Sequence, residues 1–112
     1  MNSVTKKEVM DYLNKKGFKR SLSGYYYIIE AILIGLKDNS IIRHGRVTKR
    51  LYPDVAKLFN KTPSQTERSI RHAIETSRYG VNSEWKLDGL SEHPTNSEFL
   101  CIAVNELTYG GE

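Results

Sequence analysis

One cysteine, three prolines and one tryptophan among 112 residues rule out several kinds of protein at the start. With Cys101 alone, neither an intramolecular disulfide nor a cysteine-based zinc site can form, which suits a reducing compartment. Cys101 lies in the apolar run Phe99-Leu100-Cys101-Ile102-Ala103-Val104, where a thiol is expected to be buried and inert rather than nucleophilic. Long hydrophobic runs are missing too. The longest, Tyr25 to Leu36, is interrupted by Glu30 and falls short of the ~20 residues that span a bilayer. The N-terminus lacks the basic-then-apolar order of a signal peptide. Carboxylates and histidines do not cluster at metal-ligand spacing, and His44 and His93 are isolated, so no metal and no cofactor is expected. Repeats, low-complexity segments and long linkers are absent as well. The expectation is one cytoplasmic domain covering residues 1–112, long enough to bury a core unaided.

Charge is present but unevenly placed. Residues 41–78 carry nine Lys/Arg against three Asp/Glu, whereas residues 79–112 carry one against six. A basic middle followed by an acidic end attracts phosphate backbones to one region of the surface.

At the centre of the basic region lies Thr62-Pro63-Ser64-Gln65-Thr66-Glu67-Arg68-Ser69-Ile70-Arg71-His72-Ala73-Ile74-Glu75. Thr66, Ile70, Ala73, Ile74 and Ser77 recur at helical spacing and predict one buried face. Ser64, Gln65, Arg68, Arg71, His72 and Glu75 fall opposite. Thr62 suits the N-cap with Pro63 at the first helical position, while Ser64 with Glu67 offers a competing capping box two residues later. Arg and Gln can form paired hydrogen bonds to base edges, and Ser can reach bases or phosphates. The plain alternative for such a face is a solvated helix surface.

The remaining chain reads as further helices. Residues 4–16 carry Val9, Met10 and Leu13 on one face and stop at Gly17, with Phe18 folding back onto the core. Lys15, Lys16, Lys19 and Arg20 read as a solvated connection. Residues 25–36 are apolar nearly all round, which predicts a central buried helix, with a strand as the alternative given the β-branched and aromatic content. Tyr25, Tyr26 and Tyr27 are expected in the core with their hydroxyls at its edge. Residues 41–50 form a basic loop broken by Gly45 that leads towards a short helix. Pro53 starts or kinks a helix through Phe59, with Leu51, Val55, Leu58 and Phe59 as its apolar side. Asn60-Lys61 then turns into the central stretch, so residues 47–77 have the form of a helix-turn-helix. Residues 82–90 suggest a short helix anchored by Trp85 and Leu87. Thr95 with Glu98 forms a capping box for a last helix from about Asn96 to Leu107, whose apolar residues occupy more than one face. Such a helix is either deeply docked or partly covered by a partner. Tyr109 to Glu112 reads as a frayed tail.

The blocks Gly24-Tyr25, Thr48-Lys49, Leu51-Tyr52-Pro53-Asp54, Ala56-Lys57, Phe59-Asn60, Thr62, Glu67-Arg68, Ile70 to Glu75 and Pro94 to Phe99 occur in an order that resembles a known family. This is the C-terminal DNA-binding effector domain of the sporulation initiation factor, the master response regulator of endospore formation. The resemblance covers about residues 17–107. It implies an all-α fold of about six helices, a transcription regulator that binds short TGTCGAA-type boxes, often as tandem dimers, and contact with a sigma subunit of RNA polymerase. Ser64, Glu67, Arg68, Arg71 and His72 match polar positions of the family's recognition helix. Gln65 stands where the family usually has arginine. Residues 80–93 are shorter than usual, and the family's receiver domain, with its phosphoacceptor aspartate and divalent metal, has no counterpart in this sequence. Lys49 and Lys61 are the expected phosphate contacts.

Two other readings use the same residues. A nuclease would recruit Arg71 as a phosphate clamp with His72 and Glu75 as an acid–base pair, but the helical wheel leaves that pair facing solvent with no carboxylate cluster for a metal. Alternatively, the chain is a protein-binding antagonist that pairs with a full-length regulator through its mixed-face last helix.

Overall fold

The computed structural model describes residues 4–38, 50–78 and 95–109. Within them the chain forms five helices and no strand: α1 Lys6–Lys15, α2 Ser23–Lys37, α3 Tyr52–Leu58, α4 Pro63–Arg78 and α5 Asn96–Tyr109. The all-helical expectation holds. The short helix expected within 82–90, the basic loop from 41 and Lys49 lie outside the described residues.

The apolar segment beginning at Tyr25 resolves its helix-or-strand ambiguity by burial. As a helix, α2 touches each of the other four helices and makes its broadest contact with α4. Tyr25, Ile28, Ile29, Ala31 and Ile32 are all enclosed. Each buried isoleucine contributes about 1.5–3 kcal/mol, which outweighs the weak helix propensity of isoleucine and tyrosine. The three tyrosines separate. The Tyr25 hydroxyl donates to Asn14 Oδ1 at 2.9 Å and the Tyr27 ring packs against Phe59 with centroids 4.7 Å apart, but Tyr26 is 43% exposed. Three consecutive helical positions span about 200°, too wide an arc for one buried face.

Both interhelix turns that matter end in a left-handed residue. After α1, Gly17 takes φ 84° and Phe18 N–H returns to Leu13 O at 3.1 Å. The chain reverses there, and Phe18 packs on Phe99 of α5 with ring centroids 5.3 Å apart. After α3, Asn60 takes φ 57°, with Lys61 N–H bonded to Ala56 O at 2.9 Å and Asn60 N–H to Lys57 O at 3.4 Å. This is the Schellman arrangement, with asparagine tolerating the left-handed position. It stops α3 within one turn and starts α4 two residues later. Leu58, expected on the apolar side of α3, is 61% exposed; Tyr52, Val55 and Ala56 are the buried residues of α3.

The last helix is docked by Phe99, Leu100, Ala103 and Val104, with Cys101, Ile102 and Leu107 half-buried against the same core. Its start matches the expected capping box: Glu98 N–H donates to Thr95 Oγ1 at 3.1 Å, and Thr95 N–H to Glu98 Oε1 at 2.8 Å. It continues to Tyr109, beyond the end expected at Leu107. At its far end the Tyr12 hydroxyl donates to the Glu106 carboxylate, and Lys16 Nζ lies 3.9 Å from that carboxylate. Burial, reinforced by Glu106, pushes the Tyr12 hydroxyl well above the ordinary tyrosine pKa. Among the described residues, no helix is long and apolar enough to cross a membrane.

Candidate nucleic-acid interface

The two faces of α4 divide as their spacing requires. Thr66, Ile70, Ala73, Ile74 and Ser77 are all buried. The two hydroxyls on that face are satisfied inside the helix: Thr66 Oγ1 donates to Thr62 O and Ser77 Oγ to Ile74 O, each at 3.0 Å. Polar groups buried this way carry no desolvation penalty for a missing partner. Ser64, Gln65, Arg68, Arg71, His72 and Glu75 are exposed on the other side, and Glu67 is intermediate. Lys61 is exposed in the turn just before.

The start of α4 is fixed by a reciprocal capping box between Thr62 and Gln65. Gln65 N–H donates to Thr62 Oγ1 at 3.1 Å, and Thr62 N–H donates to Gln65 Oε1 at 3.0 Å. This decides between the two possible starts, and the Ser64–Glu67 box is not used. Glu67 turns instead to Arg71, whose Nη1 lies 2.8 Å from its Oε2. The pair is half-exposed and contributes only a few tenths of a kcal/mol, about 0.3–0.5 for such spacing. Its effect is orientation: one side of the Arg71 guanidinium is held along the helix, leaving the other nitrogens free to donate. Arg68 has no acid partner among the ion pairs of the described residues.

Two further contacts hold α4, and neither follows any spacing along the chain. Gly24 in α2 lies directly against the α4 backbone: a Cβ there would sit 2.1 Å from Ser69 O and 2.8 Å from Ala73 Cβ. Only a residue without a side chain allows that approach. From the other side, Asn96 at the start of α5 is 7% exposed and uses its amide group twice. Asn96 Nδ2 donates to the Tyr52 hydroxyl at 3.0 Å and to Glu67 O at 3.2 Å, joining α3, α4 and α5. Burial raises the Tyr52 hydroxyl pKa, while the bond from Asn96 opposes that shift. The Thr95–Glu98 spacing marks Asn96 as a first-turn residue, but nothing local indicates its long-range partners.

The exposed face is therefore rigidly presented. It carries a flexible cation at Lys61, a planar unpaired cation at Arg68, a braced one at Arg71, and the amide and imidazole of Gln65 and His72. Planar donors on a helix with a fixed start suit recognition of base edges and phosphates. His72 and Glu75, the acid–base pair of the nuclease reading, are both exposed, and among the described residues no group of three His, Cys, Asp or Glu side chains comes together to hold a metal. Comparison with known families agrees with the blocks read from the sequence: residues 9–107 match the family model described as the sporulation initiation factor Spo0A C-terminal domain. That match spans both helices of the turn, α2 beneath them and most of α5. The chain belongs to the sporulation initiation factor Spo0A C-terminal family, a family of DNA-binding regulatory domains rather than of enzymes.

Proposed function

We propose that this chain binds duplex DNA in a sequence-specific way by placing α4 in the major groove, and that it regulates transcription from short boxes related to TGTCGAA. The observation that carries this is the division of α4: five residues anchor it in the core while Ser64, Gln65, Arg68, Arg71 and His72 project from the opposite side. Base readers near the start of such a helix, with the preceding helix crossing the backbone, are the docking geometry of a helix-turn-helix. Lys49 and Lys61 serve as phosphate contacts, and Glu67 acts by bracing Arg71. Selection of bound sequences from a random duplex pool tests the whole reading; recovery of no preferred sequence overturns it. The same selected duplexes, with one box or two in tandem, report whether a second copy binds cooperatively. Adding a sigma subunit of RNA polymerase to that complex tests the remaining partner implied by the family.

Affinity for duplex should fall steeply with salt. Each neutralised phosphate contributes a slope of roughly −0.9 in log K against log salt. Lys61→Gln and Lys49→Gln should each weaken preferred and random duplexes equally and flatten the slope by about one phosphate. A slope near zero for the wild type, measured by fluorescence anisotropy, contradicts a phosphate-anchored complex.

Gln65 has two roles that substitutions can separate. Its Oε1 closes the capping box, while its Nε2 remains able to donate to a base. A glutamine suits adenine, whereas the family's usual arginine suits guanine. Gln65→Arg should lower the melting temperature by a few degrees through loss of the cap and shift preference towards guanine. Gln65→Glu keeps an acceptor for Thr62 and adds a negative charge favoured at a helix start, so it should melt no lower than wild type while losing the adenine preference. If neither variant changes the affinity ratio for duplexes differing at that one base, Gln65 is a cap and nothing more.

A further inference from the structure

The groove beside α4 has a second wall that the helix-turn-helix does not supply. Residues 21–24, at the junction of the α1–α2 connection with α2, run along the flank of α4 on the side of Arg68 and His72. Two adjoining clefts form there. The larger, about 460 Å³, is lined by Ser21, Leu22, Ser23 and Gly24 on one side and Arg68, Ser69 and His72 on the other, with Leu22 giving its floor an apolar part. The smaller, about 180 Å³, shares Ser23, Arg68 and Ser69 and extends past Tyr27 to Lys61 and Gln65. No carboxylate lines either one. Lys19 and Arg20, both exposed, precede Ser21 in the chain.

We propose that this groove seats backbone phosphates of the bound duplex, with the Ser21 and Ser23 hydroxyls donating to phosphate oxygens opposite Arg68 and Lys61. The inference rests on the reading that α4 enters the major groove. That groove is about 12 Å wide, so a helix lying in it turns its crown to the bases and its flanks to the sugar–phosphate strands. Ser21 and Ser23 stand on a flank. Hydroxyls and cations converge from two chain segments whose spacing is fixed by the contact of Gly24 with Ser69, so the seat is built before DNA arrives. A scattered basic surface has neither the concavity nor that fixed spacing. Phosphate contacts of this kind set register on the duplex and carry no sequence information themselves.

Ser23→Asp tests this without harming the fold. Ser23 is exposed, and the first turn of α2 contains no acidic residue, so an aspartate there is favoured by the helix dipole. The variant should melt at or above the wild-type temperature. It should bind both the selected duplex and a random duplex at least tenfold more weakly, because a carboxylate replaces a donor facing phosphate. A scan of duplexes with single neutral methylphosphonates should then find one position where wild type loses affinity and Ser23→Asp loses none. If Ser23→Asp binds within twofold of a wild type that does bind duplex, the groove holds no phosphate, and the reading of α4 survives alone. A wild type that binds no duplex overturns both.

Discussion

Replacing Gly24 with alanine should lower stability by about 3 kcal/mol, the upper end of what overpacking costs. The added Cβ would meet Ser69 O at 2.1 Å and Ser69 C at 2.7 Å, and neither is a flexible side-chain end that can swing aside. Relief requires α2 and α4 to separate along their broadest contact, which also disturbs Ala73 and Ile70. Gaining a methyl normally favours a helix by up to about 1 kcal/mol, so propensity predicts the opposite sign. The sign of the shift is therefore decisive. A melting temperature lower by roughly 10 °C or more is expected for a domain of this size, followed by circular dichroism. An unchanged or higher value means that the two backbones are not in contact.

Arg68→Ala should reduce affinity for the preferred duplex by about 1–3 kcal/mol, roughly five- to 150-fold, and relax selectivity for guanine at one position. Arg68 is exposed near the start of α4, opposite Ile70 and the rest of the buried face, and has no acid partner among the described ion pairs. It can offer a complete fork of donors to guanine O6 and N7. The neighbouring Arg71 has Nη1 held by Glu67, which limits how its guanidinium can turn towards a base, so its removal should cost less. Arg68→Lys separates geometry from charge: it keeps the phosphate attraction and loses the bidentate fork, so random-duplex affinity should hold while the preference for guanine falls. Equal losses on preferred and random duplexes after Arg68→Ala would make Arg68 a phosphate contact only.

What could be read from the sequence follows the range of the interactions concerned. The buried face of α4, the Thr95–Glu98 box and the stop at Gly17 all depend on residues within a few positions of one another, and spacing alone exposes them. The start of α4 is ambiguous in the sequence because Thr62 and Ser64 each have an acceptor three residues ahead; the reciprocal Thr62–Gln65 box settles it, and Glu67 is left to pair with Arg71. Tyr26 and Leu58 were misplaced because hydrophobicity says what a side chain favours, while the direction it points is set by packing. Gly24 and Asn96 were legible only as a helix-start glycine and a cap neighbour. Their partners, Ser69, Tyr52 and Glu67, lie far along the chain and obey no period. The wall formed by Ser21 and Ser23 was hidden for the same reason, inside a connection whose basic residues read as solvated.

The bond from Asn96 to Glu67 spans 29 positions, and that to Tyr52 spans 44. The reading helix is complete as sequence at residue 78, yet its last tether arrives only when residue 96 does. During synthesis at about 5–20 residues per second, a nascent chain thus holds a finished but unclamped reading head for about a second or more. A message cut short anywhere between these points would yield a chain whose α4 can still pack on α2 but lacks the clamp from Asn96 to Glu67 and Tyr52. Residue 96, which carries none of the proposed base contacts, thus supplies the tie that joins α4 to α3 and α5.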